Sequence, residues 1–128
     1  MGDLSRSFSR REFECKCGCK AYKPSRELIQ TLQTIRDAMG CEVIVNSGTR
    51  CKTHNKEAGG AENSAHLDGL AADIYCRNVP QRRLGDKIKY LQGGGQLPFL
   101  RYCYLIKGSK TAVHVGVDNK QRSGIFGF

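Results

Sequence analysis

Between Ser64 and Asp73 the chain reads Ser-Ala-His-Leu-Asp-Gly-Leu-Ala-Ala-Asp, and these ten residues restrict its folding more than any other stretch. They place an imidazole, His66, seven residues before a carboxylate, Asp73, with Gly69 and Ala71 between them. A zinc ion that activates water takes three protein ligands and keeps one open position, and His and Asp both suit it. A third donor comes much later, at His114 in Thr-Ala-Val-His-Val-Gly-Val. A fold that uses all three must lay a loop end, a strand and a later strand against one another. A lone His and Asp at this separation also occur where a surface loop runs into an ordinary strand. The complete pattern S-x-H-x-x-G-x-A-x-D is far more specific.

The 128 residues suffice for one domain over residues 1–128, with residues 1–23 as an N-terminal arm. A chain of this size buries roughly two thirds of its unfolded surface. No apolar run approaches the ~20 residues that a membrane helix needs, so no transmembrane segment is expected. The opening Met-Gly-Asp-Leu-Ser-Arg-Ser-Phe-Ser-Arg lacks the apolar core of a secretory signal, which fits a protein made in the cytoplasm or one whose leader has been removed. Lys and Arg number 21 against 12 acidic residues, a net charge of +9 that favours anionic partners by long-range steering. Anionic polymers of a bacterial envelope are one such partner. Nucleic acid is not expected, because the basic residues are dispersed without the aromatic interleaving that stacks bases.

Seven cysteines are an odd number and a high one for this length. Cys15, Cys17 and Cys19 alternate, so on a strand they would face one side. Cys41, Cys51, Cys76 and Cys103 are scattered. Disulfides, a structural metal and reduced buried thiols all fit this pattern.

Phe8 and Phe13 read as anchors of an otherwise irregular arm. A helix follows from the Lys23-Pro24-Ser25 start signal, carrying Leu28, Leu32, Ile35 and Met39 at helical spacing and stopping at Gly40. Glu42–Asn46 reads as a short buried strand, and residues 47–68 as a long polar connection with a helical turn near Lys52–Ala58. Loops of that length are usually functional or disordered. Gly69–Cys76 reads as a strand, Pro80 to about Gln92 as a helix with Leu84, Ile88 and Leu91 on one face. Arg101–Ile106 and Thr111–Val117 read as a hairpin around Lys107–Lys110, before a turn-rich tail over Asp118–Phe128. The order α, β, loop, β, α, β, β predicts an α+β domain with a small, mostly antiparallel sheet and helices packed on one side.

Pairing the Gly69–Cys76 strand with the Thr111–Val117 strand would bring His66, Asp73 and His114 together. Small residues at Gly69 and Ala71 would leave room for the loop to fold back. Ser64 is read as ordering that loop and bordering the substrate. Arg50 follows Ser47-Gly48-Thr49 at a strand end. From there its guanidinium can fork a substrate carboxylate or stabilise an oxyanion. His54, in Cys51-x-x-His54, fits hydrogen bonding within the loop as well as it fits a metal.

Ser47-Gly-Thr-Arg50-Cys-x-x-His54-Asn55, Gly59-Gly60, the Ser64–Asp73 pattern and Val113-His114-Val resemble the D-alanyl-D-alanine carboxypeptidase family of zinc peptidases. The resemblance is nearest to its short peptidoglycan-cleaving branch, often encoded by phages and bacteria. Phe13-Glu-Cys-Lys-Cys-Gly-Cys and the helix after it look like that branch too, so the resemblance covers about residues 8–118. It implies the fold shared with the hedgehog signalling domain and a zinc ion held by His66, Asp73 and His114. It further implies Arg50 in the substrate site, peptide bonds of the murein stem as substrate, and action at the bacterial cell wall. One departure stands out. Many family members carry a Glu, Asp or His two or three residues before the last ligand, where this chain has Ala112 and Thr111. Many short-branch members carry an acid two residues after it, where this chain has Gly116. Asp118, Asp68 and Glu62 are other sources of a carboxylate.

The reading is therefore a monomeric zinc metallopeptidase acting on the peptidoglycan stem, as a D-Ala-D-Ala carboxypeptidase or a murein endopeptidase. The alternative is a weak or inactive zinc-containing wall-binding module. General acid–base help contributes typically ~10²–10⁴-fold, so a missing base separates the two.

Overall fold

A computed structural model describes residues 8, 10–14, 25–48 and 69–117. The elements are α1 (Arg10–Phe13), α2 (Arg26–Met39), β1 (Ile44–Ser47), β2 (Ala71–Tyr75), α3 (Gln81–Gly93), β3 (Tyr102–Leu105) and β4 (Val113–Gly116). The four strands form one sheet in the order β1-β2-β4-β3, and every neighbouring pair is antiparallel. This is an α+β fold.

Local chemistry sets the helix ends. The Ser25 hydroxyl accepts a hydrogen bond from the Leu28 N–H at 3.1 Å, satisfying one of the free donors of the first turn of α2. Gly40 closes the helix, donating its N–H to the Arg36 carbonyl at 3.1 Å. The Ser25 N–H also donates to the Gly69 carbonyl at 2.8 Å, joining the start of α2 to the residues that lead into β2. Gly69 has φ +69°, a left-handed turn that a residue with a Cβ would enter at a cost. The glycine of the ten-residue pattern is thus a backbone requirement as well as a small side chain.

Alternation along the strands divides the sheet into two faces. Val45, Ala72, Ile74, Val113, Val115 and Cys103 point into one buried cluster. Leu28, Leu32 and Ile35 of α2 and Leu84, Ile88 and Leu91 of α3 complete that cluster, so both long helices contribute to it. Phe8 and Phe13 join it fully buried, their ring centroids 6.0 Å apart. Arg10–Phe13 between them is a helical turn, where the sequence suggested an irregular arm. Four residues are too few to show a period, so burial of the two Phe rings decides the conformation.

β1 lies two residues later than expected and alternates in burial, with Asn46 exposed between buried Val45 and Ser47. Among the described strands it stands at the sheet edge, so it need not be buried throughout. A register irregularity between Val45 and Ser47 brings Ser47 opposite Asp73. No helix among the described residues is long and apolar enough to cross a membrane.

Three of the cysteines are free thiols: Cys41, Cys76 and Cys103. The Cys15–Cys17–Cys19 triplet and Cys51 lie outside the described residues. Burial pushes the Cys103 thiol up from 9.0 to about 12. Burial, and then a hydrogen bond and charge interaction with Cys41, does the same to Cys76. The folded chain therefore keeps protons that the unfolded chain releases above pH 9. Their contribution to stability is complete below pH 9 and is lost as pH rises towards 12. Urea unfolding at pH 8 and pH 10.5 should show this loss, and Cys103→Ala should lose less over the same interval.

Candidate metal centre

The face of the sheet turned away from the aliphatic core carries the polar chemistry. Reading across the strands, one row runs Ser47 (β1), Asp73 (β2), His114 (β4) and Tyr104 (β3), each the register partner of the next. A second row runs Ala71, Gly116 and Tyr102. Asp73 and His114 are 41 residues apart in sequence, yet His114 Nδ1 and Asp73 Oδ1 lie 2.7 Å apart. Both are buried, with 6% of His114 and 9% of Asp73 exposed. A buried carboxylate needs a cation or hydrogen-bond donors, because desolvation of an unpaired charge costs several kcal/mol. Here the imidazole is one such partner.

The pair also has the chemistry of a zinc donor set, an imidazole nitrogen and a carboxylate oxygen side by side. Two ligands of one tetrahedral zinc, at bond lengths of 2.0–2.2 Å, stand about 3.4 Å apart. Separating the two donor atoms by well under 1 Å would fit them to that arrangement. The residues present suit the ion. His66, Arg50 and Ser64 fall outside the described residues, as do His54, Asp68, Glu62 and Asp118. Among the described residues no three His, Cys, Asp or Glu side chains converge as a metal-binding group. The structure thus juxtaposes two of the three donors expected from the sequence.

Two aromatic residues that the sequence reading did not single out complete this face. The Tyr104 ring stacks on His114 with centroids 4.5 Å apart and planes 16° from parallel. Tyr102 stacks on His114 at 5.4 Å and on Tyr104 at 6.4 Å. Aromatic pairs of this kind contribute about 0.5–1.5 kcal/mol beyond their area. More to the point, they hold the imidazole plane, as outer contacts of metal-ligating His residues do. Tyr102 is 1% exposed, whereas Tyr104 is 39% exposed and opens towards solvent beside the pair. A signal for them existed. Residues equidistant from Ser109, at the hairpin turn, face each other, and that rule pairs Tyr104 with His114 and Tyr102 with Gly116.

Tyr102 also packs closely over Gly116. A Cβ at Gly116 would fall within the Tyr102 ring, so this position holds no side chain while the ring lies there. The space over Gly116 and beside His114 is filled by a phenol ring.

A family model described as Peptidase M15 matches residues 5–117 of the chain. The chain belongs to the M15 peptidase family. A curated relative, the zinc D-Ala-D-Ala carboxypeptidase of Streptomyces albus G, is 52% identical over 44 residues. That alignment takes in 34% of this chain and only 17% of the relative.

Gly116→Ala should lower stability by about 1–3 kcal/mol through overpacking against Tyr102. Tyr102→Ala made in the same chain should recover part of that loss. A double-mutant cycle by urea unfolding checks both, because contacting residues give non-additive changes.

Proposed function

We propose that this chain is a zinc-dependent peptidase that hydrolyses a peptide bond of the peptidoglycan stem at the bacterial cell wall. The cleaved bond is the terminal D-Ala-D-Ala bond, as in a carboxypeptidase, or one within the stem, as in a murein endopeptidase. The observation that carries the reading is the buried contact of Asp73 with His114 in a chain of the M15 family. The printed name of the Streptomyces relative, a zinc D-Ala-D-Ala carboxypeptidase, supports both the metal and the substrate class.

His66, Asp73 and His114 would hold the ion, two neutral imidazoles and one carboxylate leaving a net positive charge at the site. Zinc, when held, supplies Lewis acidity towards the scissile carbonyl and the attacking water. The remaining work belongs to the chain. The Asp73 carboxylate accepts a hydrogen bond from His114 or shares a cation with it, and Tyr104 and Tyr102 keep the imidazole in one plane. Arg50 would bind the C-terminal carboxylate of the stem in a two-pronged contact or oppose the developing oxyanion. Ser64 would order the loop that presents His66. Asp118, Asp68 or Glu62 would move the proton from water to the leaving amine.

The second reading, a wall-binding module with little or no turnover, is favoured by one observation. Positions 111, 112 and 116 around His114 hold Thr, Ala and Gly, none of them a carboxylate or imidazole that could accept a proton, and Tyr102 covers the last of them. In both readings the excess of basic residues helps the chain approach anionic wall polymers.

Zinc-loaded protein should release D-alanine or cleaved stem peptides from D-Ala-D-Ala peptides or purified murein. His66→Ala, Asp73→Ala and His114→Ala should each reduce the rate at least about a hundredfold, as should a chelator. Chromatography of the released products checks this. Cleavage that persists at the wild-type rate in the His114→Ala protein would overturn the proposal. Murein pelleting without any product would select the binding module.

A further inference from the structure

The metal-site reading leaves one pair of reactive side chains unused. Cys41 immediately follows the Gly40 cap of α2, and Cys76 immediately follows β2. Because Ile44 pairs with Tyr75, the antiparallel register carries the residues before β1 towards those just after β2. Continued by one residue, that register sets Val43 opposite Cys76, with Cys41 two residues beyond on the same side, so both thiols lie at one edge of the core. Cys76 belongs to the buried core cluster, and Cys41, half-buried, packs against it from the edge. The partly accessible thiol can meet a small disulfide in solution, which the buried one cannot, because exchange depends on access.

We propose that Cys41 and Cys76 form an intramolecular cystine by exchange with a small-molecule disulfide. The bond would clamp the end of α2 to the end of the strand that carries Asp73. In the first step the Cys41 thiolate attacks one sulfur of the small disulfide, forming a mixed disulfide and expelling one thiolate. In the second step Cys76 gives its proton to that thiolate, and its sulfur attacks Cys41 Sγ and expels the other half. Two protein thiols are oxidised and one disulfide is reduced to two thiols, so no other oxidant is needed. Burial keeps Cys76 protonated well above neutral pH, which assigns the first attack to Cys41. The ring so closed runs from residue 41 to residue 76 and encloses Arg50, Ser64 and His66. Cross-linking a loop of this length restricts the unfolded chain, by a model-dependent amount. The inference is independent of the metal and of the substrate.

The test uses the full chain and oxidised glutathione as the probe. Tryptic cleavage after Arg36 and Arg50 yields a peptide with Cys41 as its one cysteine, and cleavage after Lys56 and Arg77 yields one with Cys76 as its own. After incubation, alkylation and digestion without reductant, mass spectrometry should find these two peptides joined, lighter than their sum by two hydrogens. Tm should rise by about 5 °C or more, and reductant should reverse the rise. Recovering the two peptides separately, alkylated or carrying glutathione, would overturn the proposal. So would a reductant-sensitive rise of the same size in Cys41→Ser, because it would trace the effect to other cysteines. The peptide map of the wild-type chain needs no variant to fold.

Discussion

The antiparallel pairing of β2 with β4 constrains this molecule more than any other contact. Side chains alternate across a sheet with a period of two, so a slip of one residue would reverse every side chain of a strand. In the observed register Ala72 and Ile74 meet Val115 and Val113 in the core, and Asp73 meets His114 on the opposite face. A one-residue slip would send the carboxylate of Asp73 among leucines and bring Ile74 to the polar face. Burial of the aliphatic side chains and placement of the two donors are therefore one constraint. The hydrophobic effect, which knows nothing of metals, holds the donor atoms together.

The sequence was most legible where the pattern is local. Leu28, Leu32 and Ile35 announced α2, and Ser25 and Gly40 marked its ends. Lys107–Lys110 marked the hairpin whose turn the Ser109 hydroxyl braces by accepting from the N–H groups of Thr111 and Ala112. The convergence of Asp73 and His114 could be anticipated because both sit in strand-like segments of one small sheet. Less legible was whatever depends on a neighbour remote in sequence. The irregularity that sets Ser47 opposite Asp73 exists only once β1 is paired. The helical turn at Arg10–Phe13 reflects the burial of Phe8 and Phe13 more than any local preference. Gly116 looked like a lost acid until the ring of Tyr102 was seen lying over it.

That substitution changes the character of the candidate centre. A carboxylate beside His114 would add charge and a proton acceptor, whereas stacked phenol rings add shape and apolar surface. The ring of Tyr102 is enclosed and that of Tyr104 is partly open, so the stack presents one protected and one solvent-facing member.

Gln81, the first residue of α3, ties that helix to the hairpin. Its side-chain amide donates to the carbonyls of Ile106 and Ala112, at 3.2 and 2.8 Å, and its own N–H donates to the carbonyl of Lys110. One residue thus rivets the head of α3 to both limbs of the β-turn. The consequence is positional: the head of that helix and the start of the strand bearing His114 are set by the same three hydrogen bonds.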